Sequence, residues 1–282
     1  MQDVNEAAPV FGDADGDGES STATATPNEA QTAVGTYAAT DADGSATLTY
    51  TVTGGADNAL FSVASGGVLT FQTAPDYEAE ICGGDNSCVV ILTVSDGLAG
   101  SADDTITVTV NLQDVNEAAP VFGDADGDGE SSTATATPNE GQTAVGTYAA
   151  TDADGSATLT YTVTGGADNA LFSVASGGVL TFQTAPDYEA GICGGDNSCV
   201  VILTVSDGVS GSADDTITVT VNLQDVNDNT PTYSSSSTTQ SIQENKQSVD
   251  TVQISDADLD ATNSNTCQLT GADASKFTCT AT

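Results

Sequence analysis

The stretch TITVTVNLQDVNEAAPVF at 105–122 holds both patterns that decide the fold. In its first part Ile106, Val108, Val110 and Leu112 alternate with threonine and asparagine. In an extended chain this puts the aliphatics on one face and the polar residues on the other, as in a strand half-buried on a core. In its second part Asp114, Asn116, Glu117 and Pro120 end the alternation and form an acidic connection. QDVNEAAPVF stands at both 2–11 and 113–122, and QDVNDNTPTY stands at 224–233, so the spacing is 111 residues. Residues 3–113 and 114–224 differ at four positions: Ala30/Gly141, Glu80/Gly191, Leu98/Val209 and Ala99/Ser210. Internal repetition therefore organises the chain. It is expected to divide into repeats at 1–113, 114–224 and 225–282, the last divergent and cut short.

Within the first repeat, alternating runs bounded by Gly, Asp and Asn place seven strands. They lie at about 9–12 with 21–26, then 33–40, 46–53, 60–64, 67–72, 88–95 and 105–112. No stretch has helical period. Seven short strands in a unit of this length imply an all-β sandwich. The strand patterning also argues against disorder, which high charge and few aromatics would otherwise favour.

Charge narrows the function. The 282 residues carry 41 acidic side chains against Lys246 and Lys276, with no Arg and no His. Residues 1–224 hold no cationic side chain, so any acidic cluster there must repel itself, be solvated, or hold a cation from solution. Nucleic acids and anionic membrane surfaces are not expected as partners, because both need basic patches. Generic surface acidity, as in a salt-adapted protein, accounts for the total but not for where the acids fall. Without His or Arg the common acid–base and phosphoryl-transfer constellations are missing, so no enzyme activity is expected.

The cysteines come in three close pairs: Cys82/Cys88, Cys193/Cys199 and Cys267/Cys279. None is C-x-x-C, so disulfides in an oxidising compartment fit better than zinc. A loop as short as 82–88 makes a local staple of roughly 2 kcal/mol. Aligning Gly271–Asp273 with Gly55–Asp57 places Cys267 and Cys279 on strands flanking a turn. No membrane span or signal segment is legible, and the chain is expected to be part of something longer.

Five short acidic motifs recur at the element ends of each full repeat. They are PNEA (Glu29), TDADGS (Asp41, Asp43), PDYEA (Asp76, Glu78), VSDG (Asp96) and the connection QDVNEAAP (Asp114, Asn116, Glu117). Acids two apart in extended chain share a side and can converge on a hard cation.

In this order the motifs resemble the cadherin repeat family over nearly the whole chain. DVNDNTP at 225–231 is close to the family's D-x-N-D-N-x-P linker. The early Glu (Glu29, Glu140, Glu244), the D-A-D pair (Asp41/Asp43, Asp152/Asp154, Asp256/Asp258), the D-x-E pair (Asp76/Glu78, Asp187/Glu189) and the late Asp (Asp96, Asp207) all match. LFSVASGGVLTF is similar to the family's F-x-I-D…G-x-I strand pair. The resemblance implies seven-stranded Greek-key sandwiches strung end to end, with three calcium ions at each boundary stiffening a rod. Carried over, the first boundary uses Glu29, Asp76, Glu78, Asp114, Asn116, Glu117, Asp152, Asp154 and Asp207. The second uses Glu140, Asp187, Glu189, Asp225, Asn227, Asp228, Asp256 and Asp258. At the N-terminus Asp3, Asn5, Glu6, Asp41, Asp43 and Asp96 form half a boundary.

Some residues depart from the family pattern. Glu6 and Glu117 replace the linker Asp, Ala7 and Ala118 replace its Asn, and Tyr77 and Tyr188 replace the Arg of D-R-E. The GDADGDGES segments at 12–20 and 123–131 fall outside the pattern. Asp13, Asp15 and Asp17 match the start of an EF-hand loop, but Thr24 stands where a bidentate Glu is needed. Two readings follow, a solvated acidic turn and a separate weak calcium site.

The resemblance implies an extracellular, calcium-rigidified segment of a surface-anchored adhesion protein. Its partners would be calcium ions and another cadherin-like chain or cell-surface ligand. Strand-exchanging members use an N-terminal Trp, which is lacking here, so a spacer role competes with direct homophilic contact. A different class, an accessory carbohydrate-binding or spacer module of a secreted enzyme, would need exposed aromatics for sugar; Tyr37, Tyr77 and Phe71 are the candidates, and a core or site-packing role is the competing reading for all three.

Overall fold

The computed structural model describes residues 6–12, 22–43, 47–98, 103–123, 133–155, 157–209, 214–233, 241–247, 254–258 and 267–279. Asp3, Asn5 and the acidic segments at 13–20 and 124–131 lie outside the described residues. Two compact units are present: Met1–Ala118 with Asp152–Ala157, and Ala119–Thr151 with Thr158–Thr282.

In the first unit the alternating sequence becomes β1 (Val10–Phe11), β2 (Thr22–Ala25), β3 (Ala33–Thr36), β4 (Ala39–Thr40), β5 (Thr49–Gly54), β6 (Phe61–Ala64), β7 (Val68–Phe71), β8 (Ser87–Ser95) and β9 (Asp104–Asn111). One sheet has the order β2-β9-β8-β5 and a second has β3-β7-β6, while β1 pairs with β4. β2 runs parallel to β9, and the β9–β8, β8–β5, β3–β7 and β7–β6 pairs are antiparallel. The long strands follow period two. Cys88, Val90, Leu92 and Val94 of β8, with Ile106, Val108 and Val110 of β9, face inward at no more than 1% exposure. They meet Phe61, Leu69 and Phe71 of the second sheet in one core. Each such aliphatic side chain contributes about 1.5–3 kcal/mol by burial.

The expected single strand over 33–40 is divided. β3 pairs with β7 and β4 with β1, so the chain leaves one ladder for another. Tyr37 sits at the break, and its N–H donates to the Gly67 carbonyl at 2.8 Å. Gly67 has a φ of +76°, and a Cβ there would lie 1.8 Å from the Tyr37 carbonyl oxygen. Only glycine allows this approach. The segment at 9–12 with 21–26 is likewise split between two ladders, as β1 and β2.

The second unit repeats the order: β10 (Val121–Phe122), β11 (Thr133–Ala136), β12 (Ala144–Thr147), β13 (Ala150–Thr151), β14 (Thr160–Gly165), β15 (Phe172–Ala175), β16 (Val179–Phe182), β17 (Ser198–Ser206) and β18 (Asp215–Asn222). Its sheets are β11-β18-β17-β14 and β12-β16-β15, with β10 on β13. The same unit also holds β19 (Thr232–Tyr233), which pairs with β20 (Ile254–Ser255). Tyr233 stands at the sequence position of the buried Phe11 and Phe122 but is 68% exposed. Among the described residues, helical structure is limited to short 3-10 turns, as at Asn58–Leu60. No helix there is long and apolar enough to cross a membrane. All three cysteine pairs are disulfide-bonded.

Candidate metal centre

The acidic motifs fall at strand ends and connections, where backbone amides are free to orient them. Glu29 follows β2 and is 1% exposed. Its Oε2 accepts the Tyr77 N–H at 2.6 Å and its Oε1 accepts the Val115 N–H at 2.8 Å. One buried carboxylate thus ties the PDYEA segment to the connection after β9. Asp154 is 2% exposed; its Oδ2 accepts the Ala118 N–H at 2.7 Å, and its own N–H donates to Asp152 Oδ1 at 3.0 Å.

These contacts bring acids together inside the first unit, to which the segment carrying Asp152 and Asp154 also belongs. Glu29, Glu78 and Glu117 each offer an oxygen within 4.8 Å of the others, and so do Glu78, Asp114 and Asp154. Glu78 is shared by both groups. Asp76 is exposed and accepts the Ala79 N–H, and its charge is felt at Glu117. Partial burial pushes the Glu78 carboxyl up, offset in part by its own backbone N–H and reinforced by Glu29, Asp154 and Asp114. Glu117 is also pushed up, first by loss of solvent and then by Glu29, Asp154, Asp76 and Asp114.

The second unit assembles Glu140, Glu189 and Asp225, and Glu189, Asp228 and Asp258. Glu140 ties Tyr188 and Val226 just as Glu29 ties Tyr77 and Val115. Glu189 is raised by burial and by Glu140, Asp225 and Asp258, and Asp228 by burial and by Glu140, Asp258 and Asp187. A difference arises where Asn229 stands in place of Ala118. The Asn229 amide lies at 2.8 Å from Asp258 Oδ1, 3.0 Å from Asp228 Oδ1 and 3.1 Å from Glu189 Oε2. It supplies positive donors to a cluster that the first unit leaves with a backbone N–H alone at this position.

The remaining candidates take their places as follows. Asp43 Oδ2 accepts the Glu6 and Ala7 N–H groups at 2.6 Å each, and the Asp43 N–H donates to Asp41 Oδ1. Asp96 and Asp207 accept the Leu98 and Val209 N–H groups. Asn227 is exposed in the second connection, between Asp225 and Asp228. The sugar-stacking candidates are placed otherwise than that reading required. Tyr37 (7% exposed) and Phe71 (2%) lie in the core, and Tyr77 packs against it.

Whether these clusters suit a cation is tested by their unsatisfied oxygens. Asp41 Oδ2, Asp114 Oδ1, Asn116 Oδ1, Asp152 Oδ2, Asp154 Oδ1 and Asp256 Oδ1 are buried without a hydrogen-bond partner. Buried acceptors without donors are costly, so such a set is suited to a cation. All six belong to the acids and amides singled out by motif. Asn86 Oδ1 and Asn197 Oδ1 share the condition outside the motifs. The donor set is oxygen only, which matches a hard divalent ion rather than zinc or copper. The described residues contain one salt bridge, Lys276–Asp273 at 2.6 Å, well apart in sequence from these acids.

Comparison with known proteins agrees with the motifs. The chain is 30% identical over 248 residues to the protocadherin-like wing polarity protein stan of Drosophila melanogaster, covering 83% of this chain. It is 28% identical over 226 residues to human protocadherin-15, covering 79%. The chain belongs to the cadherin-repeat family. It spans 6% and 11% of the length of those two relatives. Among solved structures, mouse cadherin-23 EC22-24 matches with a TM-score of 0.62 at 21% identity, over 91% of this chain and 80% of that one. The human desmocollin-1 ectodomain matches at 0.60 and 22%, over 82% and 44%. At such identities these neighbours speak for the fold, a cadherin-type β-sandwich. No protein-family model matches the chain.

Sequence reasoning missed the Asn229 amide, the linkage of Glu29 to Val115, and Asn86. A linker Asn was visible as a motif letter, but which carboxylates its side chain meets is a property of the folded cluster.

Proposed function

We propose that the chain is an extracellular cadherin-repeat segment whose acidic clusters bind calcium and so stiffen successive repeats, at 1–113, 114–224 and 225–282, of a longer cell-surface adhesion protein. The observation that carries this reading is the set of buried, donorless oxygens on Asp114, Asn116, Asp152 and Asp154, in a region without any cationic side chain. Glu29, Asp76, Glu78, Asp114, Asn116, Glu117, Asp152, Asp154 and Asp207 would serve the first boundary. Glu140, Asp187, Glu189, Asp225, Asn227, Asp228, Asp256 and Asp258 would serve the second, and Asp3, Asn5, Glu6, Asp41, Asp43 and Asp96 the N-terminal half-site. Calcium accepts six to eight oxygens in flexible geometry, including backbone carbonyls, which suits acids drawn from three separate segments. Its charge would replace mutual repulsion with attraction. Extracellular modules of this kind bind at about 0.1–1 mM, so the segment would stiffen outside a cell and loosen inside one.

Calorimetric titration of the chain with calcium, in about 0.15 M monovalent salt to screen diffuse charge, tests this reading. Saturable binding that loses sites in Asp152→Ala/Asp154→Ala supports it. A weak heat that ignores both the substitution and saturation would assign the acids to solubility. Two nearly identical repeats supply length rather than a distinctive face, so the segment's role is that of a spacer. Concentration-dependent self-association in calcium, by sedimentation, would instead favour homophilic contact.

A further inference from the structure

The disulfide-closed loops belong to none of the ligand sets, yet each grips one. Cys82–Cys88 encloses GGDNS. Cys88 is fully buried on β8 opposite Val110, which fixes that end of the loop in the core. From inside the loop, Asn86 donates from Nδ2 to the Tyr77 carbonyl at 2.8 Å, while the Asn86 carbonyl accepts the Leu112 N–H at 2.8 Å. Tyr77 is the residue between Asp76 and Glu78. Its N–H is held by Glu29 at 2.6 Å, and its carbonyl also accepts the Glu80 N–H at 3.1 Å. Both backbone polar groups of that residue are therefore fixed, one by a ligand-set acid and the other by the disulfide loop. The second unit repeats the arrangement: Asn197 Nδ2 to the Tyr188 carbonyl at 2.7 Å, Tyr188 N–H to Glu140 at 2.6 Å, and Leu223 N–H to the Asn197 carbonyl at 2.9 Å. Side-chain directions at Asp76 and Glu78 follow the backbone between them, so a rotation there would move both carboxylates at once.

We propose that Asn86 and Asn197, anchored by the Cys82–Cys88 and Cys193–Cys199 disulfides, are positioning residues for the cation-ligating segments Asp76–Glu78 and Asp187–Glu189. This rests on the calcium reading above and adds to it a role for the disulfide loop, which sets cation affinity from behind the ligands. Supporting groups of this sort typically govern metal affinity without touching the ion.

The test uses the full 282-residue chain, with calcium chloride as the probe. Wild type, Asn86→Ala/Asn197→Ala and Asn86→Gln/Asn197→Gln are titrated calorimetrically. Amide hydrogen exchange of each is followed in chelator. The alanine pair is expected to raise the calcium dissociation constant about three- to tenfold, the effect of one lost buried hydrogen bond per site. Exchange should accelerate at 77–80 and 188–191 and stay unchanged in β8, β9, β17 and β18. The glutamine pair keeps an amide donor and should recover part of the affinity, and reduction of the disulfides should reproduce the alanine effect. Unchanged affinity and unchanged exchange in the alanine pair would overturn the proposal, as would loss of protection throughout β8 and β9, which would make the loop a general fold element. If wild type itself binds no calcium saturably, the calcium reading fails. The exchange data then separate the two failures: acceleration confined to 77–80 and 188–191 keeps the ordering of those segments by Asn86 and Asn197 and removes only its cation role, and no acceleration removes both.

Discussion

Glu29 and Val115 lie 86 residues apart in sequence and are joined by a 2.8 Å hydrogen bond from the Val115 N–H to Glu29 Oε1. The other oxygen of the same carboxylate holds Tyr77. This buried acid, 1% exposed, therefore organises the others by pulling two loops onto one point. Its charge is balanced by backbone N–H groups, and any cation adds to that balance.

Glu29→Gln keeps the shape but turns one of these acceptors into an NH2 group facing an N–H. A charge-assisted bond is lost and a repulsive contact replaces it, at a cost of about 2 kcal/mol. Chemical denaturation of the first unit should show this loss in chelator as well as in calcium, and calcium affinity should fall with it. A substitution that lowers affinity but leaves cation-free stability unchanged would contradict the tethering role.

Among the described residues, two of the differences between the near-identical repeats fall at left-handed backbone. Ala30 has φ +56° where the second repeat has Gly141, and Glu80 has φ +46° where it has Gly191. A Cβ is disfavoured there by roughly 1–2 kcal/mol, part of which glycine returns through unfolded-state freedom. Ala30→Gly and Glu80→Gly should each stabilise the first repeat by about 0.5–1 kcal/mol. The reverse changes, Gly141→Ala and Gly191→Glu, should destabilise the second by a similar amount. Thermal unfolding of the single variants measures both directions.

Gly67 and Gly66 allow a sharper comparison. Both have positive φ, but a Cβ at Gly66 meets nothing within 4 Å, whereas one at Gly67 collides with the Tyr37 carbonyl. Gly66→Ala should cost about 1 kcal/mol and Gly67→Ala roughly 3 kcal/mol or more, because the strand crossing at Tyr37 must open. Equal effects in a denaturation series would mean that the close approach is relieved by a small shift.

The raised carboxyls give a pH dependence of definite sign. Glu78, Glu117, Glu189 and Asp228 hold their protons more tightly in the native protein than at the ordinary values of 4.5 for Glu and 3.8 for Asp. The native state thus binds more protons than the unfolded one across that interval. Its stability is fully present below the ordinary values and declines as pH rises through the raised ones. In chelator, the midpoint of thermal unfolding should therefore increase as pH is lowered from about 7 toward about 5. Saturating calcium should reverse the trend, because protons then compete with the bound ion.

Much of this protein was legible from residue order. The alternation in TITVTVNL determined which of its side chains enter the core, because a strand exposes alternate residues to alternate faces whatever its neighbours are, whereas in the unbroken apolar run at 88–92 the choice of Cys88, Val90 and Leu92 over Val89 and Ile91 was made by the fold. Repetition at 111 residues fixed the recurrence of every element, and the motif order named the acids and the family. Tertiary structure alone decided the rest. It split 33–40 between two ladders because the Tyr37 backbone runs against Gly67. It joined Glu29 to Val115 and placed the Asn86 amide on the peptide between two acids. Such contacts bridge residues far apart in sequence, and they form only when two loops are held at one place by a core built elsewhere. Local periodicity carries face and element; it carries no information about which distant loop end a carboxylate will find.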